Sequence, residues 1–178
     1  MKELSIESIR LSLMNGQRVI ILKERDGERH LPIWVGPSEA DAIAVKLGDV
    51  SVPRPLTHDL LKNVIEQLGA QVRYVLVTEV INDTFHARIV LDVQGTTMEI
   101  DSRPSDAMAL AVRASAPIYV EEALIDLHGL LVNDDEAQEA AVPSSESRPL
   151  DPAELERLGV FRDFIEGLDL DDFDKPKK

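Results

Sequence analysis

Two runs of strand-like alternation, each turned back on itself by hairpin dipeptides, set the strongest limit on what this chain can become. Asn15-Gly16 and Asp26-Gly27 punctuate residues 3–35, and Asn82-Asp83 and Gln94-Gly95 punctuate residues 72–100. Such pairs supply the positive φ that two-residue hairpins demand, so each run predicts a three-stranded antiparallel meander. A change of apolar parity between Ile6 and Ile9 predicts a bulge in the first strand. Val19-Ile20-Ile21-Leu22 is apolar on both faces and needs cover on both. Pro32 within Leu31–Val35 places the third strand at an edge or a bulge. In the second meander Phe85, Ala87, Ile89, Leu91 and Val93 alternate with His86, Arg88 and Asp92, which predicts one buried and one wet face.

Helical periodicity fills the intervals. Gly36-Pro37-Ser38-Glu39 opens a helix to about Leu47, with Ala40, Ile43, Ala44 and Leu47 on one face. Thr57 is expected to cap a second helix to about Leu68, with an apolar stripe of Leu60, Leu61, Val64, Ile65 and Leu68. Pro104 suits the first turn of a third helix reaching Ala114. A strand at Ile118-Tyr119-Val120 and a short helix over Glu121 to Leu127 follow. The order βββ-αα-βββ-α-β-α predicts an α+β fold of two mostly antiparallel meanders interleaved with helices, plus a C-terminal helix. Residues 1–132 form the expected domain. Residues 133–150, rich in Asp, Glu, Ala, Ser and Pro, read as a flexible acidic linker. Within 151–178, Asp151-Pro152-Ala153-Glu154 starts a helix carrying Leu155, Leu158, Phe161, Phe164 and Ile165, and an acidic tail ends the chain.

Charge and cysteine content narrow the function. The chain has no cysteine, so disulfides, thiolate metal sites and cysteine nucleophiles are excluded together. Its start is charged and no apolar run approaches the ~20 residues of a membrane span, so a soluble, cytoplasmic protein with no membrane partner is expected. The net charge is −14, of which residues 133–178 carry −8 and residues 1–132 carry −6. A broad basic surface for nucleic acid is therefore missing, and any such contact has to be made at a local basic site. The acidic tail, by contrast, suits a basic partner.

No Walker loop, dinucleotide fingerprint, HExxH or Gly-x-Ser-x-Gly pattern occurs. What remains is polar residues gathered at helix starts: Glu39, Arg54, Thr57, His58, Asp59, Asp101, Arg103, Ser105 and Asp106. The chemistry they suggest is phosphodiester hydrolysis. Glu39, Asp59 and Asp106 are the candidate ligands for Mg²⁺ or Mn²⁺, a hard cation that activates water. His58 is the candidate base or acid. Arg54 and Arg103, with Ser105, are the candidate phosphate contacts. The catalytic set is thus His58, Asp59, Arg103 and Asp106. The alternative is a non-catalytic oligomeric binding or regulatory protein, in which Thr57, Asp59, Ser105 and Asp106 cap helices and the arginines pair with them.

Four stretches in order carry a resemblance to a known family. They are Leu31-Pro32-Ile33-Trp34-Val35-Gly36 with Glu39-Ala40; Arg54-Pro55-Leu56-Thr57-His58-Asp59-Leu60; Arg103-Pro104-Ser105-Asp106-Ala107; and Pro117-Ile118-Tyr119-Val120-Glu121-Glu122. Over residues 1–132 the chain resembles the bifunctional nuclease family of bacteria and plants. Phe161-Arg162-Asp163-Phe164 and Asp171-Asp172-Phe173 resemble the tail of actinobacterial-type members. The resemblance implies a compact α+β fold, homo-oligomers, and cleavage of both DNA and RNA.

Overall fold

The computed structural model describes residues 1–11 and 17–131. The expected Asn15-Gly16 hairpin, the linker at 133–150 and the helix and tail at 151–178 lie outside the described residues. The first meander is β1 (Lys2–Leu11), β2 (Arg18–Glu24) and β3 (Arg29–Val35), followed by α1 (Pro37–Leu47) and α2 (Thr57–Gln67). The second is β4 (Ala70–Ile81), β5 (Thr84–Val93) and β6 (Thr96–Ser102), followed by α3 (Pro104–Ala114), β7 (Ile118–Val120), α4 (Glu122–His128) and the two-residue β8 (Leu130–Leu131). The α+β class and the element order are as the pattern predicts, with β8 added.

The two meanders form one sheet of order β6-β5-β4-β7-β1-β2-β3-β8. β7 is the splice, pairing antiparallel with β1 and parallel with β4. Turn chemistry explains the β4–β5–β6 meander: Asn82 and Asp83 (φ 50° and 59°), then Gln94 and Gly95 (φ 53° and 85°), all adopt the left-handed region that a twisted hairpin needs. The predicted bulge falls between Ile6 and Ser8. It leaves Glu7 out of register, and the Glu7 carboxylate meets Lys23 at 3.5 Å and His30 at 3.2 Å. Pro32 pairs only with Ile21 on β2, because β8 reaches no further along β3 than Arg29 and His30. Among the described residues Pro32 therefore has a strand neighbour on one side, the edge setting in which proline is tolerated.

α3 occupies the centre of the helix layer, against α1, α2, β4 and β5. Ala107, Met108, Ala109, Leu110 and Ala111 are all buried in succession, as a helix enclosed on every side requires. Its small alanines let α1 and α2 approach closely. This centrality has a consequence for α2 that its stripe does not announce. Of the five stripe residues only Ile65 is buried; Leu60 is 58% and Leu68 is 74% exposed. With α3 filling the middle, α2 touches the core along the row of His58 and Ile65, and its apolar flank is left outside. On α1 likewise, Ala40 and Ile43 are buried but Leu47 is half exposed.

Candidate active site

Each of the three long helices carries an acid at its third position: Glu39 on α1, Asp59 on α2 and Asp106 on α3. A carboxylate there is favoured by the unpaired N–H groups of the first turn. The three nevertheless have different partners.

Asp59 behaves as a cap. Its Oδ2 accepts the Leu56 N–H at 2.9 Å, and its Oδ1 accepts Arg113 Nε at 2.7 Å. Leu56, not Thr57, is the residue that precedes the helix, so the expected Thr57 cap is replaced by this backward reach of Asp59. Arg113 is buried and also donates to the carbonyls of Ala109 and Ala42 at 2.9 and 3.0 Å. One guanidinium thereby joins α1, α2 and α3. Burial alone would raise the Asp59 pKa, but the Leu56 N–H and Arg113 outweigh it and hold the carboxyl below its ordinary value.

Asp106 makes no helix cap. Its Oδ1 accepts His58 Nε2–H at 3.1 Å, and its Oδ2 accepts Arg103 Nε at 2.7 Å. A carboxylate can only accept, so the proton of neutral His58 resides on Nε2 and the basic lone pair on Nδ1. Burial pushes the Asp106 carboxyl upward; the Arg103 and His58 donors overcome that and leave it lowered. Arg103 also reaches Glu39 Oε1 at 2.9 Å through Nη2. The Glu39 carboxylate folds back over Gly36, where an added Cβ would make its Oε2 shift.

Glu39, His58, Arg103 and Asp106 therefore line one cavity of about 660 Å³, with Ser38, Asp41 and Pro55 among its other walls. His58 is buried, whereas the Arg103 side chain is 66% exposed. The structure does not bring Asp59 into that cavity. Arg54 and Asp59 line a second cavity of about 330 Å³ with Lys46, Asp49 and Arg113. Ser105 is buried in the first turn of α3 and lines neither. Arg113 is not among the polar residues at helix starts, but it is the lone charge in the apolar run 107–114, which is itself a sign of a buried pair.

The expected Mg²⁺ or Mn²⁺ does not fit this donor set. Asp59 spends both oxygens on Leu56 and Arg113. Glu39 and Asp106 both hold the Arg103 guanidinium, whose charge already lies where a shared cation would bind. Among the described residues no group of three or more His, Asp or Glu side chains is placed around a common point. A divalent ion with near-octahedral oxygen ligation would need a different arrangement of these carboxylates.

Residues 20–133 match the bifunctional nuclease domain, and the chain belongs to that family. Over 173 residues, covering 97% of this chain and 98% of the relative, it is 38% identical to "Uncharacterized protein Rv1829" of Mycobacterium tuberculosis. It is 32% identical over 131 residues to Bifunctional nuclease 1 of Oryza sativa subsp. japonica. Bifunctional nuclease 2 of Arabidopsis thaliana is 30% identical over a stretch of the same length. Each of these plant matches covers 71% of this chain and 40% of the plant protein.

Proposed function

We propose that the cluster of His58, Asp106, Arg103 and Glu39 hydrolyses phosphodiester bonds in DNA and RNA. The observation that carries this reading is the His58–Asp106 hydrogen bond in the wall of a cavity that Arg103 also lines. Family membership, and the nuclease names of the plant relatives, support nucleic acid as the substrate.

In this reading Asp106 fixes the His58 tautomer, and Nδ1 takes the proton of the attacking water. Asp106 also stabilises the imidazolium that results. Arg103 binds the phosphate oxygens with its exposed guanidinium and offsets the charge that builds on them. Glu39 is a positioning residue, holding Arg103 from the α1 side. The protonated His58 then returns a proton to the leaving oxygen. No step uses Asp59, whose work is structural.

Purified protein should cleave single-stranded DNA and RNA, and His58→Ala should lower the rate by about 10²–10⁴-fold, the usual worth of a general base. Co-purification of activity with the protein through two different columns is required. Cleavage by His58→Ala at the parental rate would remove the proposal.

A second reading has its own observation. The exposed flank of α2, with Leu60, Val64 and Leu68, supports self-association into a homo-oligomer. Such assembly is compatible with catalysis. If cleavage is not found, it is the surviving account, with the Arg103 network holding helix ends.

A further inference from the structure

The two cavities adjoin. Val45 and Pro55 wall both of them, so they lie side by side around the start of α2. Their charges differ. The first contains Glu39, Asp41 and Asp106 against Arg103, with His58 beside them. The second contains Lys46, Arg54 and Arg113 against Asp49 and Asp59. Asp59 neutralises Arg113, and the Lys46 charge acts on Asp59 as well. Arg54 is exposed and, among the described residues, forms no ion pair. Cationic charge not spent on the fold thus collects beside the cavity that holds the chemistry, in a chain that is otherwise acidic.

Resting on the hydrolytic reading of the first cavity, we propose that the second cavity binds the neighbouring phosphate of a single-stranded nucleic acid through Arg54 and Lys46. The strand crosses Pro55, with the scissile phosphate at His58 and the next one over Arg54. A flexible strand can bend into two adjoining hollows. A duplex, stiff over about 150 base pairs, cannot sink its backbone toward a buried histidine without deformation. Neither cavity is lined by Phe, Tyr or Trp. Recognition therefore rests on phosphate and is indifferent to base, because the stacking that would add affinity per base is missing.

Salt dependence of binding tests this, with the full chain and a short fluorescein-labelled DNA strand whose phosphorothioate linkages resist cleavage. Neutralising both cations in Lys46→Gln/Arg54→Gln should weaken binding about tenfold at low salt. It should also reduce the slope of log K against log salt by about 0.7, the value for one single-strand phosphate contact. The exposed pair Lys23 and Arg73, changed to Gln together, removes the same charge elsewhere and should leave the slope unchanged. The same sequence as a duplex should bind more weakly than the single strand. An unchanged slope in Lys46→Gln/Arg54→Gln, an equal loss in the Lys23/Arg73 control, or tighter binding of the duplex would overturn the proposal. Because binding is read without cleavage, failure of the hydrolytic reading would show in the His58→Ala experiment and not here.

Discussion

The starts of α2 and α3 are nearly the same phrase written twice. Arg54-Pro55 precedes Asp59 and Arg103-Pro104 precedes Asp106, and both aspartates occupy the third helical position. Yet Asp59 is consumed by a backbone N–H and a buried arginine, whereas Asp106 faces a cavity with a histidine and an exposed arginine. The difference arises from what stands opposite each helix mouth. α2 opens toward the buried Arg113 of α3. α3 opens toward His58 at the second position of α2, and toward Glu39. Similar local chemistry is occupied by the fold in one place and opens on a cavity in the other, because tertiary neighbours choose the partner.

The comparison can be broken most forcefully at Asp59. Asp59→Ala leaves Arg113, whose side chain is 2% exposed, buried without its carboxylate. Loss of one partner of a buried pair costs about 3–5 kcal/mol, and urea unfolding should register it. Asp106→Asn should cost about 1 kcal/mol or less by the same measurement, since Arg103 is largely solvated and the amide oxygen still accepts from His58. Equal losses would erase the distinction.

Acid should act next. Both aspartates have lowered pKa values in the fold, against about 3.9 in an unfolded chain. The unfolded chain therefore takes up protons first, so their stabilisation is complete above roughly pH 5 and is lost as pH falls through the folded values. Unfolding monitored from pH 6 down to pH 3 should show declining stability. Asp59→Ala and Asp106→Asn should each flatten that decline, since each removes one carboxyl whose folded value is lowered.

The smallest effect on folding is expected on the outer flank of α2. Leu60→Lys/Leu68→Lys changes two exposed residues and should leave the melting temperature nearly unaltered, while shifting the mass in light scattering toward the monomer. An unchanged mass would place self-association on another surface.

Much of this fold is legible in the chain itself, for reasons that are local. Asn82-Asp83 and Gln94-Gly95 announce their hairpins because few residues tolerate left-handed backbone. The parity change after Ile6 announces the bulge because side chains alternate strictly along a strand. The joining of the two meanders is not local: β7 has only three residues, and nothing in Ile118-Tyr119-Val120 says that one edge pairs with β4 and the other with β1. The α2 stripe misleads for a related reason, since amphipathicity records an apolar face but not what covers it. The site was half legible. Glu39, His58, Arg103 and Asp106 stand out as polar residues at helix starts, but the bond from His58 to Asp106 spans 48 positions. Asp59 carries the same local signature, and what sets it apart, the buried Arg113, lies 54 positions away.

The central claim is that the start of α3 works on substrate while that of α2 holds the fold. It is tested most directly by cleavage of single-stranded DNA by Asp106→Asn, with thermal melting recorded on the same preparation. A loss of rate of about 10²-fold or more with melting close to that of the parent protein is the expected result. Parental cleavage, or a loss of rate that follows a loss of folded protein, would contradict it.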